Sequence, residues 1–330
     1  MLAVMSGIAG AALAIGVLAA TGTLGTRVRS HDVVRREMAQ PLAIRTISDD
    51  ELDQLASAVM PSVVVLRIDG ASAPAGAGVV FRDDGHVLTN AHVVASAASV
   101  EATFQDGRTA AAKVVATDRL TDLAVLKLSG DGPFVPAAFG TSDGVAVGDL
   151  AVAVGTQVSS GVISALGREI SAQGGIMLDD LIQTDAEIDP TSSGGALLRP
   201  DGAVIGITTA YAGSSRVGFA TTVDVARVVA DDLVALGRVR VAWFGIRGTS
   251  APDGGGVVVA ELLAGGPAEL AGLVAGDVIR RIDGHPIASM TELRVVLRRS
   301  HPGESVRAVF DRAGQRHEAL VALAERAAAG

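Results

Sequence analysis

The sequence predicts an all-β domain, a sandwich or barrel, followed by a small α+β domain and preceded by one long apolar segment. Three observations lead there. Between residues 62 and 223, short apolar runs alternate with turns such as Asp83-Asp84-Gly85, Asp106-Gly107 and Asp201-Gly202. Regular short strands of this kind belong to all-β architectures, not to parallel α/β folds. After Arg238 the pattern becomes strands interleaved with two short helices, and residues 1–24 carry no charged side chain at all.

Composition narrows the function classes. At 330 residues the chain has room for two or three domains. Hydrophobic residues make up 49% and aromatic ones only 3%, so the core is built from Val, Ile, Leu and Ala. A net charge of −9 argues against nucleic-acid binding and against general attraction to anionic membranes. The absence of Cys removes disulfides and thiol chemistry and leaves the compartment open.

Taken in order, the 1–24 segment is long enough to cross a bilayer, which needs about 20 apolar residues, and is expected to be a transmembrane anchor in preference to a cleaved signal peptide. No Lys or Arg precedes it, whereas Arg27, Arg29, Arg35 and Arg36 follow, so charge alone would put the body of the protein in the cytoplasm. A sequence that starts late, without a basic head, gives the same pattern, and orientation stays open. Residues 25–48 read as a polar linker. Domain 49–236 then opens on a helix: Ser48 caps it, Asp49, Asp50 and Glu51 suit its first turn, Leu52, Leu55 and Val59 share a face, and Pro61 stops it. Strands are expected at 62–68, 76–81, 86–89, 100–104, 111–116, 123–128, 150–154, 161–165, 182–183, 203–207 and 217–220. A helix over 224–236 stops at Gly237. Domain 237–325 holds strands at 256–261 and 277–282, helices at 267–272 and 289–299, and a hairpin of 305–311 with 316–322; residues 326–330 are a tail. Arg294, Arg298 and Arg299 on its second helix read as a solvated face.

The candidate chemistry centres on residues 181–207. There Ser193 is followed by Gly194 and Gly195, which permit a sharp turn that exposes a hydroxyl. A serine needs a base to become a nucleophile. The histidines are His31, His86, His92, His285, His301 and His317. Only His92 lies between a strand and an apolar run; the others sit in the linker, beside turns, or on the terminal hairpin. Asp122 opens the 123–128 strand and can hold an imidazole through Nδ1–H, fixing its tautomer. Asp118 is a rival acid four positions earlier.

His, then Asp, then Ser, each at a strand edge, is the chymotrypsin-like order. The segments TNAHVV, TDLAVLKL, QTDAEIDPTSSGGALL and VIGITTA resemble the HtrA (DegP-like) family of trypsin-fold serine proteases. The later segments FGI, GGPAELAGLVAGDVIRRIDGHPI and PGESVRAVFDRAG resemble the PDZ domain that follows the protease domain in that family. The resemblance implies two six-stranded β-barrels, with no metal or nucleotide cofactor. It implies His92 as general base, Asp122 as its orienting acid, Ser193 as nucleophile, and the N–H groups of Thr191 and Ser193 as the oxyanion hole. Ile188, Thr208, Thr209 and Ala210 would line a pocket for small or medium aliphatic side chains, with Glu187 beside it. Trp243, Phe244, Gly245 and Ile246 would receive peptide C-termini by strand addition, opposite a helix beginning near Met290 and Thr291; Trp243 reads equally well as an interdomain packing residue. Residues 168–178, with Gly174-Gly175, would relay occupancy to the active site. The family further implies a homotrimer outside the cytoplasm, degrading misfolded polypeptides. An adaptor that has lost proteolysis, and an esterase, are the rival functions.

One departure matters. The family usually carries Gly where this chain has Thr191, and Asn where it has Ser192. A β-branched residue resists φ > 0 at a cost of roughly 1–2 kcal/mol, and one missing oxyanion donor costs about 10²–10³ in rate. The pattern implies slow basal proteolysis: either Thr191 tolerates the active geometry, or the resting enzyme is off.

Overall fold

Strands dominate residues 63–222 because the apolar residues come in short β-branched runs punctuated by Gly and Asp. The computed structural model describes residues 47–172, 176–209 and 217–326, all within the unit Thr46–Gly330. The expected anchor at 1–24, nearly all of the 25–48 linker, Gly174-Gly175, Ala210 and residues 327–330 lie outside them. Among the described residues no helix is long and apolar enough to cross a membrane.

Helix α1 (Asp49–Val59) starts as the cap predicts: Glu51 N–H donates to Ser48 Oγ at 3.3 Å and Ser48 N–H to Glu51 Oε2 at 2.9 Å. Six strands follow, β1 (Val63–Ile68), β2 (Gly76–Val80), β3 (His86–Asn90), β4 (Val100–Thr103), β5 (Thr109–Asp118) and β6 (Leu123–Leu128), with the short helix α2 (Ala91–Val94) between β3 and β4. They close as a barrel in the order β1-β2-β3-β6-β5-β4. A second closed barrel runs β10-β11-β12-β9-β8-β7, from β7 (Leu150–Val154), β8 (Val158–Ser171), β9 (Met177–Thr184), β10 (Ala196–Leu198), β11 (Val204–Thr209) and β12 (Gly218–Thr222). Closure leaves no free sheet edge in either barrel.

Between the barrels lies one shared core of Leu123, Val125, Val152, Val154, Leu198 and Ile207. Helix α3 (Val223–Leu236) covers it with Val225, Val229 and Leu233 and ends at Gly237, whose φ is 68°. Strands β8 and β9 are much longer than the expected 161–165 and 182–183. Their extra length is a bulged hairpin, with register shifts at 163/165, 165/168 and 168/170; Arg168 and Glu169 are exposed, while Ile170 and Leu178 pack with Leu181 and Phe219. Repeated bulges interrupt the two-residue alternation by which a strand shows in the sequence.

The C-terminal part is built from β13 (Ala242–Trp243), β14 (Ile246–Ser250), β15 (Val257–Leu262), α4 (Pro267–Leu270), β16 (Val278–Ile282), β17 (His285–Pro286), α5 (Met290–Arg298), β18 (Ser305–Arg312), β19 (Gln315–Ala322) and β20 (Ala324–Glu325). The sheet order is β14-β15-β16-β18-β19, with β17 on β16 and β13 paired with β20. Phe244, Val257, Ile279, Leu293, Phe310 and Val321 fill its own core. The arginines at the end of α5 are not a solvated face. Arg299 grips Asp180 of β9 with Nε–Oδ2 at 2.9 Å and Nη2–Oδ1 at 2.8 Å, and Arg298 pairs with Asp179. Asp180 is only 4% exposed; burial pushes its carboxyl above the ordinary range, and the Arg299 guanidinium opposes that. A desolvated acid on one barrel and a forked cation on the neighbouring domain require each other. Arg294 stays local and donates to Thr291 Oγ1 at 3.2 Å.

Candidate active site

The site sits where the two barrels meet. Strand β3 ends at Asn90, and the chain turns into α2, which holds His92 half-exposed at 39% of its side chain. Asp122 stands at the start of β6 with φ 55°, a left-handed conformation that Asp tolerates better than most residues. That backbone lets both ends of Asp122 serve α2. Its carbonyl accepts Ala91 N–H at 2.9 Å and Asn90 Nδ2 at 3.0 Å. Its carboxylate accepts His92 N–H at 2.9 Å through Oδ1 and the ring at Nδ1, 2.6 Å away, through Oδ2. An imidazole held at Nδ1 by a carboxylate presents Nε2 as a proton acceptor. The rival Asp118 is engaged elsewhere: its carboxylate accepts Thr121 N–H at 3.0 Å and Thr121 Oγ1 at 2.7 Å.

Ser193 arrives from the second barrel, in the turn between β9 and β10, and has 0% exposed surface. Its carbonyl accepts Ala77 N–H of β2 at 2.7 Å, so the nucleophile loop is sewn to the first barrel. Gly194 has φ 86°, and a Cβ there would lie 2.3 Å from both Ala77 O and Thr89 Oγ1. Gly195 is as crowded, with Val154 O 2.4 Å from the same imagined atom. Both glycines are therefore steric requirements of the barrel junction. One point above Gly76 lies 2.8 Å from Val93, the neighbour of His92, and 2.9 Å from the Ser193 carbonyl. The two loops meet there.

The segment before Ser193 is a tight turn of 3₁₀ type, Pro190–Ser192, capped by Asp189. Thr191 N–H donates to Asp189 Oδ1 at 2.7 Å, and Ser193 N–H points to Pro190 O at 3.3 Å. Both expected oxyanion donors thus have intramolecular acceptors, and neither is presented to a substrate carbonyl in this conformation. Thr191 is absent from the non-glycine residues with φ > 0, so the strain expected of a β-branched residue is not incurred while the turn is closed. Asp189, Gln157 and Thr156 are the participants that sequence reasoning missed. Asp189-Pro190 carries a signal, because an Asp followed by Pro is a helix-start signature.

The expected pocket residues are drawn into structural work. Ile188 packs on the interior of the second barrel and crowds Gly218, where an added Cβ would lie 2.5 Å from Ile188 Cδ1. Thr208 Oγ1 donates to Ser192 O at 2.7 Å, while its backbone pairs with Gly194 and Gly195. Thr209 is buried and pairs in register with Phe219, and Ala210 lies outside the described residues. Glu187 is exposed, and its carbonyl accepts Ser159 Oγ at 2.7 Å.

In the C-terminal domain, Trp243 is half-buried and pairs with Ala324, and Phe244 fills the core. Gly245 turns with φ 85° into Ile246, the first residue of the sheet-edge strand β14. Helix α5 starts across from that strand, with Met290 N–H donating to Ser250 Oγ at 3.2 Å.

Paired six-stranded barrels with an imidazole–carboxylate pair at their junction, followed by a small sheet with an open edge strand, define a trypsin-like protease fold joined to a peptide-binding module. Comparison agrees: the sequence matches the trypsin-like peptidase domain over residues 76–207 and the PDZ domain over residues 233–308. It is 34% identical over 290 residues to the serine protease PepD of Mycobacterium tuberculosis, covering 78% of this chain and 62% of that protein. It is 36% identical over 270 residues to the periplasmic pH-dependent serine endoprotease DegQ of Escherichia coli, covering 75% of this chain and 59% of that one. Among solved structures, the HtrA-type protease AlgW with a decapeptide superposes with a TM-score of 0.59 at 30% identity, over 86% of this chain and 100% of that one. The same protease with a tripeptide gives 0.61 at 32%, over 84% and 98%. The chain belongs to the HtrA family of serine proteases. It spans about three-fifths of the length of the curated relatives it matches, 62% and 59% for those two.

Proposed function

We propose that the chain is a serine endopeptidase that cleaves unfolded polypeptides outside the cytoplasm by acyl-enzyme chemistry. The observation that carries this reading is the 2.6 Å contact of Asp122 with His92 Nδ1 at the junction that also receives Ser193. His92 Nε2 takes the Ser193 proton as Oγ attacks the peptide carbonyl, and then returns it to the leaving amine. Asp122 holds the tautomer and stabilises the imidazolium. The negative oxygen of the tetrahedral intermediate is received by Thr191 N–H and Ser193 N–H once the turn before Ser193 opens. Ile188, Thr208, Thr209 and Ala210 border the pocket for the cleaved residue, which the aliphatic and small side chains restrict to small or medium apolar groups.

The PDZ domain captures peptide C-termini along β14, with the carboxylate at the Phe244-Gly245-Ile246 turn. Its occupancy governs the protease through the β8–β9 hairpin. Residues 1–24 anchor the chain in the membrane, with both folded domains on the extracytoplasmic side, and three copies assemble. The DegQ relative is a periplasmic endoprotease, which supports the compartment.

Degradation of casein by the purified chain against Ser193→Ala tests the proposal. Loss of all turnover in the variant is expected; equal turnover would end the peptidase reading. A second reading, a peptide-binding adaptor that no longer cleaves, is favoured by one observation, the engagement of both oxyanion donors within the turn.

A further inference from the structure

We propose that Asp189 is a positioning residue that keeps the oxyanion-hole backbone of the resting enzyme turned away from substrate, and that Gln157 braces it from behind. The inference rests on the peptidase reading above. An ionised carboxylate only accepts, with room for about four hydrogen bonds. Asp189 takes four. Its Oδ1 accepts Thr191 N–H at 2.7 Å, Thr191 Oγ1 at 2.6 Å and Ser192 N–H at 3.0 Å, and its Oδ2 accepts from Gln157 Nε2.

Hydrogen bonds to a charged acceptor are roughly twice as strong as neutral ones. The N–H of Thr191 cannot serve Asp189 and a developing oxyanion together, so the carboxylate competes directly with the transition state. Closing the turn also aims Ser193 N–H at Pro190 O, which removes the second donor by the same motion.

The brace comes from the link between β7 and β8. Thr156 Oγ1 lies 2.8 Å from Thr191 Oγ1 and 2.9 Å from Ser192 Oγ, and Gln157 is the next residue. Gly155 packs against Ser192, with an added Cβ only 2.8 Å from Ser192 Cβ. Residues 155–157 therefore hold one wall of the turn and Asp189 the other. Side chains suit this closed state as a set: the Thr191 hydroxyl serves as donor to Asp189 and partner to Thr156, a tie that glycine at this position lacks. Opening the hole requires either withdrawal of residues 156–157 or an incoming main chain that replaces their hydrogen bonds.

The test compares the full chain with Gln157→Ala, Asp189→Asn and Asp189→Ala, using cleavage of a fluorogenic peptide, inhibition by a peptidyl boronic acid, and circular dichroism to establish folding. The boronate forms a tetrahedral adduct that needs the hole, so its inhibition constant reports hole geometry independently of turnover. The expected result is a rise in kcat at little-changed KM, smallest for Gln157→Ala and rising towards about 10²-fold for Asp189→Ala, with the boronate constant falling in step. Gln157→Ala lies outside the turn and keeps the test alive if Asp189→Ala does not fold. Folded variants whose kcat is unchanged or lower, or whose kcat rises without tighter boronate binding, overturn the proposal. Wild-type turnover above that of Ser193→Ala, with no gain in the variants, removes only this latch; turnover no better than Ser193→Ala in every variant removes the peptidase reading with it.

Discussion

Replacing Thr191 with Gly attacks the closed turn from the backbone. In the resting structure Thr191 Oγ1 holds two contacts, 2.6 Å to Asp189 Oδ1 and 2.8 Å to Thr156 Oγ1. Each such bond contributes about 0.5–1.5 kcal/mol net. Removing the β-branched side chain also lifts a penalty of roughly 1–2 kcal/mol against left-handed backbone in the opened turn. Together these shift the closed–open balance by about 2–5 kcal/mol towards open, and each 1.4 kcal/mol is about tenfold in population. The gain saturates once the hole is fully formed, at the worth of an oxyanion donor, about 10²–10³. Thr191→Gly is therefore expected to raise kcat on an unfolded substrate by roughly 10- to 10³-fold, while KM changes little, because the hole acts only in the transition state. Steady-state kinetics on a fluorogenic peptide and on casein measure this directly. A variant that folds normally with kcat within about twofold of wild type would refute the reasoning.

Further outcomes follow from other contacts. Asp122→Asn keeps the shape of the 2.6 Å contact but favours the wrong imidazole tautomer, and should lower kcat by roughly 10⁴ with little change in thermal midpoint; a loss below about tenfold would show that Asp122 does not orient His92. Arg299→Ala leaves Asp180 buried without its fork of two bonds, and should cost about 3–5 kcal/mol, seen by calorimetry as a lowered or split melting transition; an unchanged melt contradicts the interdomain clamp. Acid should weaken the PDZ domain through Asp277, which is fully buried: burial raises its carboxyl, but the Arg312 guanidinium and Val274 N–H outweigh that and hold it below the ordinary range. With the folded value below the unfolded one, near 3.9, its contribution is complete above about pH 4 and is lost as pH falls from there through the folded value. Asp277→Asn should flatten that part of a stability–pH curve, and an unaltered slope would exclude the pair as its source.

What the sequence made legible follows from which forces act locally. Short β-branched runs and Asp-Gly turns announce a barrel strand by themselves, and 123–128 and 150–154 coincide with β6 and β7 to the residue. His92 and Asp122 were recognisable because each borders a buried strand. The bulged hairpin of β8 and β9 was not, since three register shifts break the two-residue period of its apolar residues. Strand β10 is only three residues long and follows two glycines, and β13 and β20 gain their order from each other across 80 residues of chain. Arg298 and Arg299 looked like surface charge because their partners, Asp179 and Asp180, lie 119 positions away. The closed turn was half visible: Thr191 in place of the usual Gly leaves either a tolerated active geometry or a resting enzyme that is off, and the Asp189 cap and the Gln157 brace exist only once β7, β8 and the nucleophile loop are packed together.

The account turns on whether His92 activates Ser193. Labelling the intact chain with a fluorophosphonate probe, with mass spectrometry locating the adduct, tests that most directly. The expected result is slow labelling at Ser193 in wild type, faster labelling in Thr191→Gly, and none in His92→Ala. Equal labelling of wild type and His92→Ala, or an adduct on some other residue, would contradict it.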